Sequence, residues 1–267
     1  MNNIPKIIHY CWFGGNPLSQ SALKCLDSWK KYCPDYKIIE WNENNYPIEE
    51  ACDYVKEAYA MKKWAFVSDY VRFDVIYKHG GLYFDTDVEI IKPIDDLIDK
   101  GPFFGLELNN GNYDVQPGLG MGAQKENIFY KRMLDDYQSD HYILKNGQIN
   151  TDTVVDRASK LLQEEGYNPK ENKHQIINGI NIYPLDYFCP MDYTTGQVNV
   201  TERTYSIHWY DMSWLSEKEK KWQTFSRKHN GKPDNSLFFL LIKELYCHGI
   251  KHTFKLIINK FIKRTSD

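Results

Sequence analysis

The chain carries no surplus of either charge: 33 Lys and Arg face 36 Asp and Glu over 267 residues, a formal net charge of −3 with histidine neutral. That balance supplies no global basic field for a phosphate backbone, so nucleic acid is not an expected partner. Cysteine is scarce, six residues without a Cys-x-x-Cys pair, which excludes a small disulfide-built scaffold and favours reduced thiols. No cysteine has a histidine in a recognisable local pairing, so thiol catalysis is not expected. Only three residues precede the first apolar strand at Ile4-Pro5-Lys6-Ile7-Ile8. They leave no room for the basic, apolar and cleavage-site regions of a secretory leader, and the expected location is cytoplasmic. Repeats and low-complexity linkers are also missing. A chain of this length can bury one large core, close to about three-quarters of its unfolded surface. Aromatic residues are plentiful, 15% of the chain with 20 tyrosines. Such rings stack on sugars and bases, but filling the core is their first expected use.

The chemistry is concentrated in Gly80-Gly81-Leu82-Tyr83-Phe84-Asp85-Thr86-Asp87-Val88-Glu89. An apolar run after two glycines reads as a strand that delivers two carboxylates to its C-terminal end. Side chains alternate along a strand, so Asp85 and Asp87 are expected on one side, where they can share a hard divalent cation such as Mg²⁺ or Mn²⁺. Upstream, Trp64 to Tyr77 repeats apolar residues at helical spacing and reads as a largely buried helix. Asp69 and Arg72 share a face of it, either paired with each other or serving a ligand. At the N-terminus, Ile7-Ile8-His9-Tyr10-Cys11-Trp12-Phe13-Gly14-Gly15 reads as a strand ending in a glycine turn. Trp12 would stand beyond a strand end, where open α/β sheets gather ligands.

Around these segments the chain alternates strand and helix. Residues 19–33 read as a helix capped by Ser19, and Tyr36 to Trp41 as the next strand, which makes a parallel α/β unit. A strand is expected at 101–107, a loop over the site from Asn109 to Gly122, helices near 126–139 and 151–165, and a short strand at 181–185.

The ordered set Ile-His-Tyr-Cys-Trp-Phe-Gly-Gly, Ala-Phe-Val-Ser-Asp-Tyr-Val-Arg and Gly-Gly-Leu-Tyr-Phe-Asp-Thr-Asp-Val resembles glycosyltransferase family 32. Its members include bacterial polysaccharide transferases and yeast mannosyltransferases, with the glucosylating domains of large clostridial toxins more distant. The likeness is tight over residues 4–96. A shorter one lies at His208-Trp209-Tyr210-Asp211-Met212-Ser213-Trp214. The resemblance implies a GT-A fold, a Rossmann-like α/β/α sandwich with a mostly parallel central sheet and additional C-terminal helices. It implies a catalytic domain over 1–235 and a metal-dependent, retaining transfer of a hexose from a nucleotide-diphosphate sugar, UDP-linked by preference, to a saccharide or lipid-linked saccharide in surface-polysaccharide synthesis.

The likeness also implies residue roles. Trp12, with His9 beside it, matches the nucleotide-binding strand end. Ser68, Asp69 and Arg72 match groups that hold sugar and phosphates, and Tyr83 a tyrosine near the diphosphate. Asp85 matches the acid at the ribose and the cation's water shell, and Asp87 the direct ligand. Asp69, Arg72, Asp85 and Asp87 form the catalytic set. His208 is the expected third protein ligand to Mn²⁺ or Mg²⁺, with a water as the other candidate, and Ser213-Trp214 would cover the leaving phosphate. Loop acids Asp114, Asp152 and Asp192 remain candidates for a further carboxylate.

Residues 236–267 interleave apolar runs with Lys251, Lys255, Lys260, Lys263 and Arg264, a basic amphipathic helical extension too charged to span a bilayer. Two readings stay open for it: a helix packed on the domain, or peripheral contact with the inner face of the cell membrane. A rival reading of Asp85-Thr86-Asp87 is a haloacid-dehalogenase-type phosphohydrolase with Asp85 as nucleophile, although about eighty residues precede a motif which that family carries on its first strand.

Overall fold

The computed structural model describes residues 4–211 and 217–228, with Ile242 and Leu245 beyond them. In chain order the elements are β1 (Ile7–Cys11), α1 (Gln20–Tyr32), β2 (Lys37–Trp41), α2 (Asp53–Ala60), α3 (Trp64–His79), β3 (Gly81–Tyr83), β4 (Val88–Ile90), α4 (Asp95–Ile98) and β5 (Phe103–Asn109). They continue with β6 (Asn112–Val115), β7 (Met121–Ala123), α5 (Ile128–Gln138), α6 (Val154–Glu164), β8 (Gln175–Ile177), β9 (Ile180–Tyr183), α7 (Leu185–Phe188), β10 (Ser206–His208) and α8 (Glu217–Lys228).

The main sheet runs β2-β1-β3-β7-β5-β9-β8, with β6 paired to β5. β1 is parallel to β2 and β3, and β5 to β9, whereas β7 is antiparallel to both its neighbours and β8 to β9. β1, β2, β3, β5 and β9 therefore share one direction, so the sheet is mixed but mostly parallel, with helices flanking it. A separate two-stranded sheet pairs β10 with β4.

Local chemistry accounts for the helix ends. The Ser19 side chain accepts from the Ala22 N–H to open α1, and Thr153 with Asp156 forms a capping box on α6. Gly80 ends α3 at φ +67°, a conformation that costs a side-chain-bearing residue far more. The core is built from rings. Phe73 of α3 meets Tyr130 of α5 at 5.2 Å between centroids, and Tyr130 stacks on Phe104 of β5 at 5.7 Å. The largest fully buried side chains are all Trp, Tyr or Phe, so packing rather than ligand stacking absorbs most of the aromatic content. Cys11, Cys33 and Cys52 are buried thiols outside any disulfide.

Two expectations from the sequence change here. The segment Asn109–Gly122 is no simple loop: Asn110-Gly111 turns β5 into β6, and the chain then enters β7 in the middle of the sheet. β3 stops at Tyr83, so Asp85 and Asp87 do not alternate along a strand; a turn closed by Val88 N–H to Asp85 O at 3.1 Å carries them.

Contacts divide the chain into two compact units, Met1–Pro190 with Asn199–Trp209, and Met191–Val198 with Tyr210–Asp267. Within the second, Met191 bridges Val198, Tyr193 meets Tyr210 edge-on at 5.0 Å, and Arg227 Nε donates to the Tyr193 carbonyl at 3.2 Å. Ser213, Trp214 and the extension 236–267 lie outside the described residues. Among the described residues no helix is long and apolar enough to cross a membrane.

Candidate active site

The C-terminal ends of β1 and β3 lie side by side because the strands are parallel in the register Ile8↔Leu82 and His9↔Tyr83. Cys11 and Trp12 are therefore delivered to the same edge as Asp85. Trp12 is half-buried, and its indole N–H donates to the Asn16 carbonyl at 2.6 Å. That bond fixes the ring at the mouth of the strand edge. His9 does not reach this edge. It is fully buried, with Nε2 2.9 Å from the Gly80 carbonyl oxygen and Nδ1 2.9 Å from the Trp41 indole nitrogen. Both ring nitrogens are engaged in tying β1 to β2 and to the end of α3.

Helix α3 supplies the cationic centre. Arg72 Nη2 lies 2.9 Å from Asp69 Oδ1 and 3.4 Å from Asp85 Oδ1, while its guanidinium stands over the Tyr83 ring at 4.9 Å. Arg72 Nε also donates to the Ser68 carbonyl at 3.1 Å. Asp69 and Arg72 thus pair with each other, and Arg72 additionally reaches toward Asp85. The Ser68 hydroxyl donates to the Trp64 carbonyl at 2.9 Å, which commits its proton to the helix and leaves only an accepting oxygen. Burial pushes the Asp69 carboxyl up to about 6 against the pull of Arg72, and the Val154 N–H at the start of α6 also hydrogen-bonds it. Tyr83 donates its hydroxyl to Asp85 Oδ1 at 3.0 Å, and burial first, then Cys11, raises its own pKa well above the tyrosine range. Burial likewise pushes the Cys11 thiol up to about 12, which keeps it protonated.

The third ligand candidate arrives from the far end of the chain. β10 pairs antiparallel with β4 in the register His208↔Val88, and Trp209 N–H donates to the Asp87 carbonyl at 2.9 Å. His208 Nε2 then stands 3.2 Å from Asp87 Oδ1. Burial works to lower the His208 pKa, but Asp87, with Asp85 and Glu107 behind it, raises it on balance. One donor atom from each of Asp85, Asp87 and His208 falls within 4.8 Å of the others. Two carboxylates and an imidazole make a donor set that fits a divalent cation, Mn²⁺ being more tolerant of the imidazole than Mg²⁺. The outer face of the turn is held by Trp29, whose indole donates to the Val88 carbonyl at 2.7 Å, and by Trp209, whose indole donates to Glu89 at 2.9 Å. The sequence showed Trp209 beside His208 but gave no sign that Trp29 of α1 reaches Val88, since only the tertiary fold brings it there. Of the loop acids, Asp114 accepts from Asn109, and Asp192 closes a turn onto Thr194 and Thr195.

Residues 19–104 match the family described as glycosyltransferase sugar-binding region containing DXD motif. That segment is similar to a DXD-type glycosyltransferase sugar-binding region. The matched segment holds Asp69, Arg72, Asp85 and Asp87, whereas Trp12 and His208 fall outside it and join the site through strand pairing. Two fission-yeast (Schizosaccharomyces pombe) proteins are similar to it. Inositol phosphoceramide mannosyltransferase 1 is 27% identical over 114 residues, 39% of this chain and 34% of that protein. Inositol phosphoceramide mannosyltransferase 3 is 30% identical over 98 residues, 36% of this chain and 27% of that protein. The matches thus span about a third of the length of these relatives. Among solved structures, PaToxG glycosyltransferase aligns at TM-score 0.46 and 20% identity over 61% of this chain and 70% of its own. The galactosyltransferase LgtC aligns at 0.43 and 12% over 87% and 99%.

Proposed function

We propose that the protein is a metal-dependent, retaining glycosyltransferase that moves a hexose from a nucleoside-diphosphate sugar to a saccharide or lipid-linked saccharide acceptor in surface-polysaccharide synthesis. The observation that carries this reading is the convergence of His208 with Asp85 and Asp87 beside the buried Arg72, the last three within the segment similar to a DXD-type sugar-binding region. Asp87 and His208, with Asp85 behind them, would hold a Mn²⁺ or Mg²⁺ ion, which supplies Lewis acidity to the leaving diphosphate. Trp12 offers a ring face for the base. Arg72 presents a fixed cation toward the diphosphate, and Asp69, itself held by Arg72 and the start of α6, orients sugar hydroxyls. In the front-face reaction the anomeric carbon–phosphate oxygen bond breaks as the acceptor oxygen bonds the same face. The acceptor's proton passes to the departing phosphate oxygen, so no protein carboxylate need act as base.

The donor is the finest part of the proposal. UDP-sugars come first by resemblance, and mannose nucleotides are tested beside them because both curated relatives bear the name mannosyltransferase. A phosphohydrolase that uses Asp85 as nucleophile is disfavoured, because Tyr83 and Arg72 both occupy one oxygen of that carboxylate. The test is calorimetric titration of UDP- and GDP-hexoses with Mn²⁺ present, followed by NMR of the product's anomeric centre. One tightly bound donor and a retained anomer support the reading. No donor bound, with phosphate released from sugar phosphates, replaces it by the hydrolase. For the extension 236–267 the two readings are a helix packed on the domain and contact with anionic membrane, and liposome flotation with and without it decides: equal recovery in the soluble fraction removes membrane contact.

A further inference from the structure

The wall facing Asp85 comes from a segment that carries no chemical motif. Gln116-Pro117-Gly118-Leu119 forms a turn closed by Leu119 N–H to the Gln116 carbonyl at 3.2 Å. Within it, the Gly118 N–H donates to the Gln116 side-chain oxygen at 2.9 Å, and the Gly118 carbonyl accepts from the Asp85 N–H at 2.9 Å. The Gly118 Cα lies directly against the Asp85 carboxylate. A Cβ there would overlap Asp85 Oδ2, stand 2.8 Å from its Cγ and approach Arg72 Nη1 at 3.2 Å. The next two glycines pack against the chain just before Asp85, Gly120 against Phe84 and Gly122 against Leu82 of β3. Gly120 has φ +150°, which already disfavours a side chain, whereas Gly118 is not among the positive-φ residues. Backbone freedom therefore does not explain a glycine at 118; the space taken by the Asp85 carboxylate does.

We propose that Gly118 is the positioning residue that sets Asp85 for cation and donor binding, an inference that rests on the metal-site reading above. Asp85 is held at three points: Tyr83 and Arg72 at Oδ1, the Gly118 main chain against Oδ2, and the Gly118 carbonyl at its own N–H. Any side chain at 118 pushes the carboxylate away from these partners and from Asp87 and His208. Arg72 is buried while Asp85 keeps part of its carboxylate open to solvent, so the carboxylate that Gly118 positions is also the end that a cation can reach.

The experiment titrates Mn²⁺ alone into the full chain, reading free Mn²⁺ by electron paramagnetic resonance. Wild type, Gly118→Ala, Asp85→Ala and the double variant are compared, with thermal melts alongside. Gly118→Ala is expected to weaken Mn²⁺ binding by about tenfold or more, toward the Asp85→Ala value. In the Asp85→Ala background the same alanine meets only the movable Arg72 end, so it should change neither Mn²⁺ affinity nor Tm. Wild-type affinity in Gly118→Ala, or an undiminished cost of that alanine in the double variant, overturns the role of Gly118 while leaving the metal site standing. If Gly118→Ala does not fold, the double variant decides: recovered folding supports the proposal and continued unfolding overturns it. A wild-type chain that binds neither Mn²⁺ nor Mg²⁺ overturns the metal-site reading itself, and this inference with it.

Discussion

His208 places its Nε2 3.2 Å from Asp87 Oδ1, although 120 residues separate them in the chain and only a three-residue antiparallel ladder brings them together. The imidazole is a counter-ion to Asp87 when protonated and a ligand when neutral, so proton and cation compete for it. Because the carboxylates raise the His208 pKa, Mn²⁺ affinity is expected to fall as pH drops. His208→Ala should weaken binding by about tenfold or more and flatten that pH dependence. Calorimetry at several pH values checks both; an unchanged pH profile in His208→Ala would show that the histidine is not a ligand.

Arg72 holds Asp69 and Asp85 with one nitrogen and the Ser68 carbonyl with another. A lysine cannot reproduce that fork. Arg72→Lys is expected to fold but to lose most donor turnover. Arg72→Met strands the buried Asp69 charge and should lower stability by about 3 kcal/mol or more. Steady-state kinetics and denaturant melts separate the two effects.

Trp12 stands at the strand edge with its indole N–H already bound, which leaves the ring face as its contribution. Trp12→Ala should weaken nucleotide binding by about 1 kcal/mol, roughly fivefold, and Trp12→Phe should recover most of it. Equal affinity in all three proteins would place the base elsewhere.

His9 and Asp69 give opposite pH slopes to stability. Burial lowers His9 to about 4, so between about 4 and 6.5 the unfolded chain takes a proton that the folded one refuses, and stability rises with pH. Burial raises Asp69 to about 6, so between about 4 and 6 the folded chain keeps a proton that the unfolded one has released, and stability falls with pH. Each contribution is on the order of 3 kcal/mol, and the two nearly cancel. Relative to wild type, Asp69→Asn should therefore steepen the gain in stability from pH 4 to 6, and His9→Gln should reverse it. Urea melts across that range read both slopes; parallel curves would contradict the burial argument.

Much of this architecture was legible because its signals are local. Ser19 announces α1, and the apolar spacing of Trp64 to Tyr77 announces α3. The acids of the DXD turn were visible for the same reason. Other features depend on partners distant in the chain. His9 looks like a strand-end ligand until Gly80 and Trp41 are seen to occupy both its nitrogens. β6 and most of β7 fall within the segment expected as a loop, because short, glycine-punctuated strands have too few residues to show alternation and only the sheet supplies their hydrogen bonds. Gly118 carries no signal of its own, since its need for glycine comes from a carboxylate 33 residues earlier.

The measurement that tests the central claim most directly is metal-dependent consumption of a nucleotide sugar by purified protein, wild type against Asp87→Ala, across UDP- and GDP-hexoses. The account predicts that one donor is consumed with Mn²⁺, that chelation stops the reaction, and that Asp87→Ala lowers the rate by about a hundredfold or more. Donor consumption that persists at the wild-type rate in Asp87→Ala, or in the presence of chelator, would contradict it.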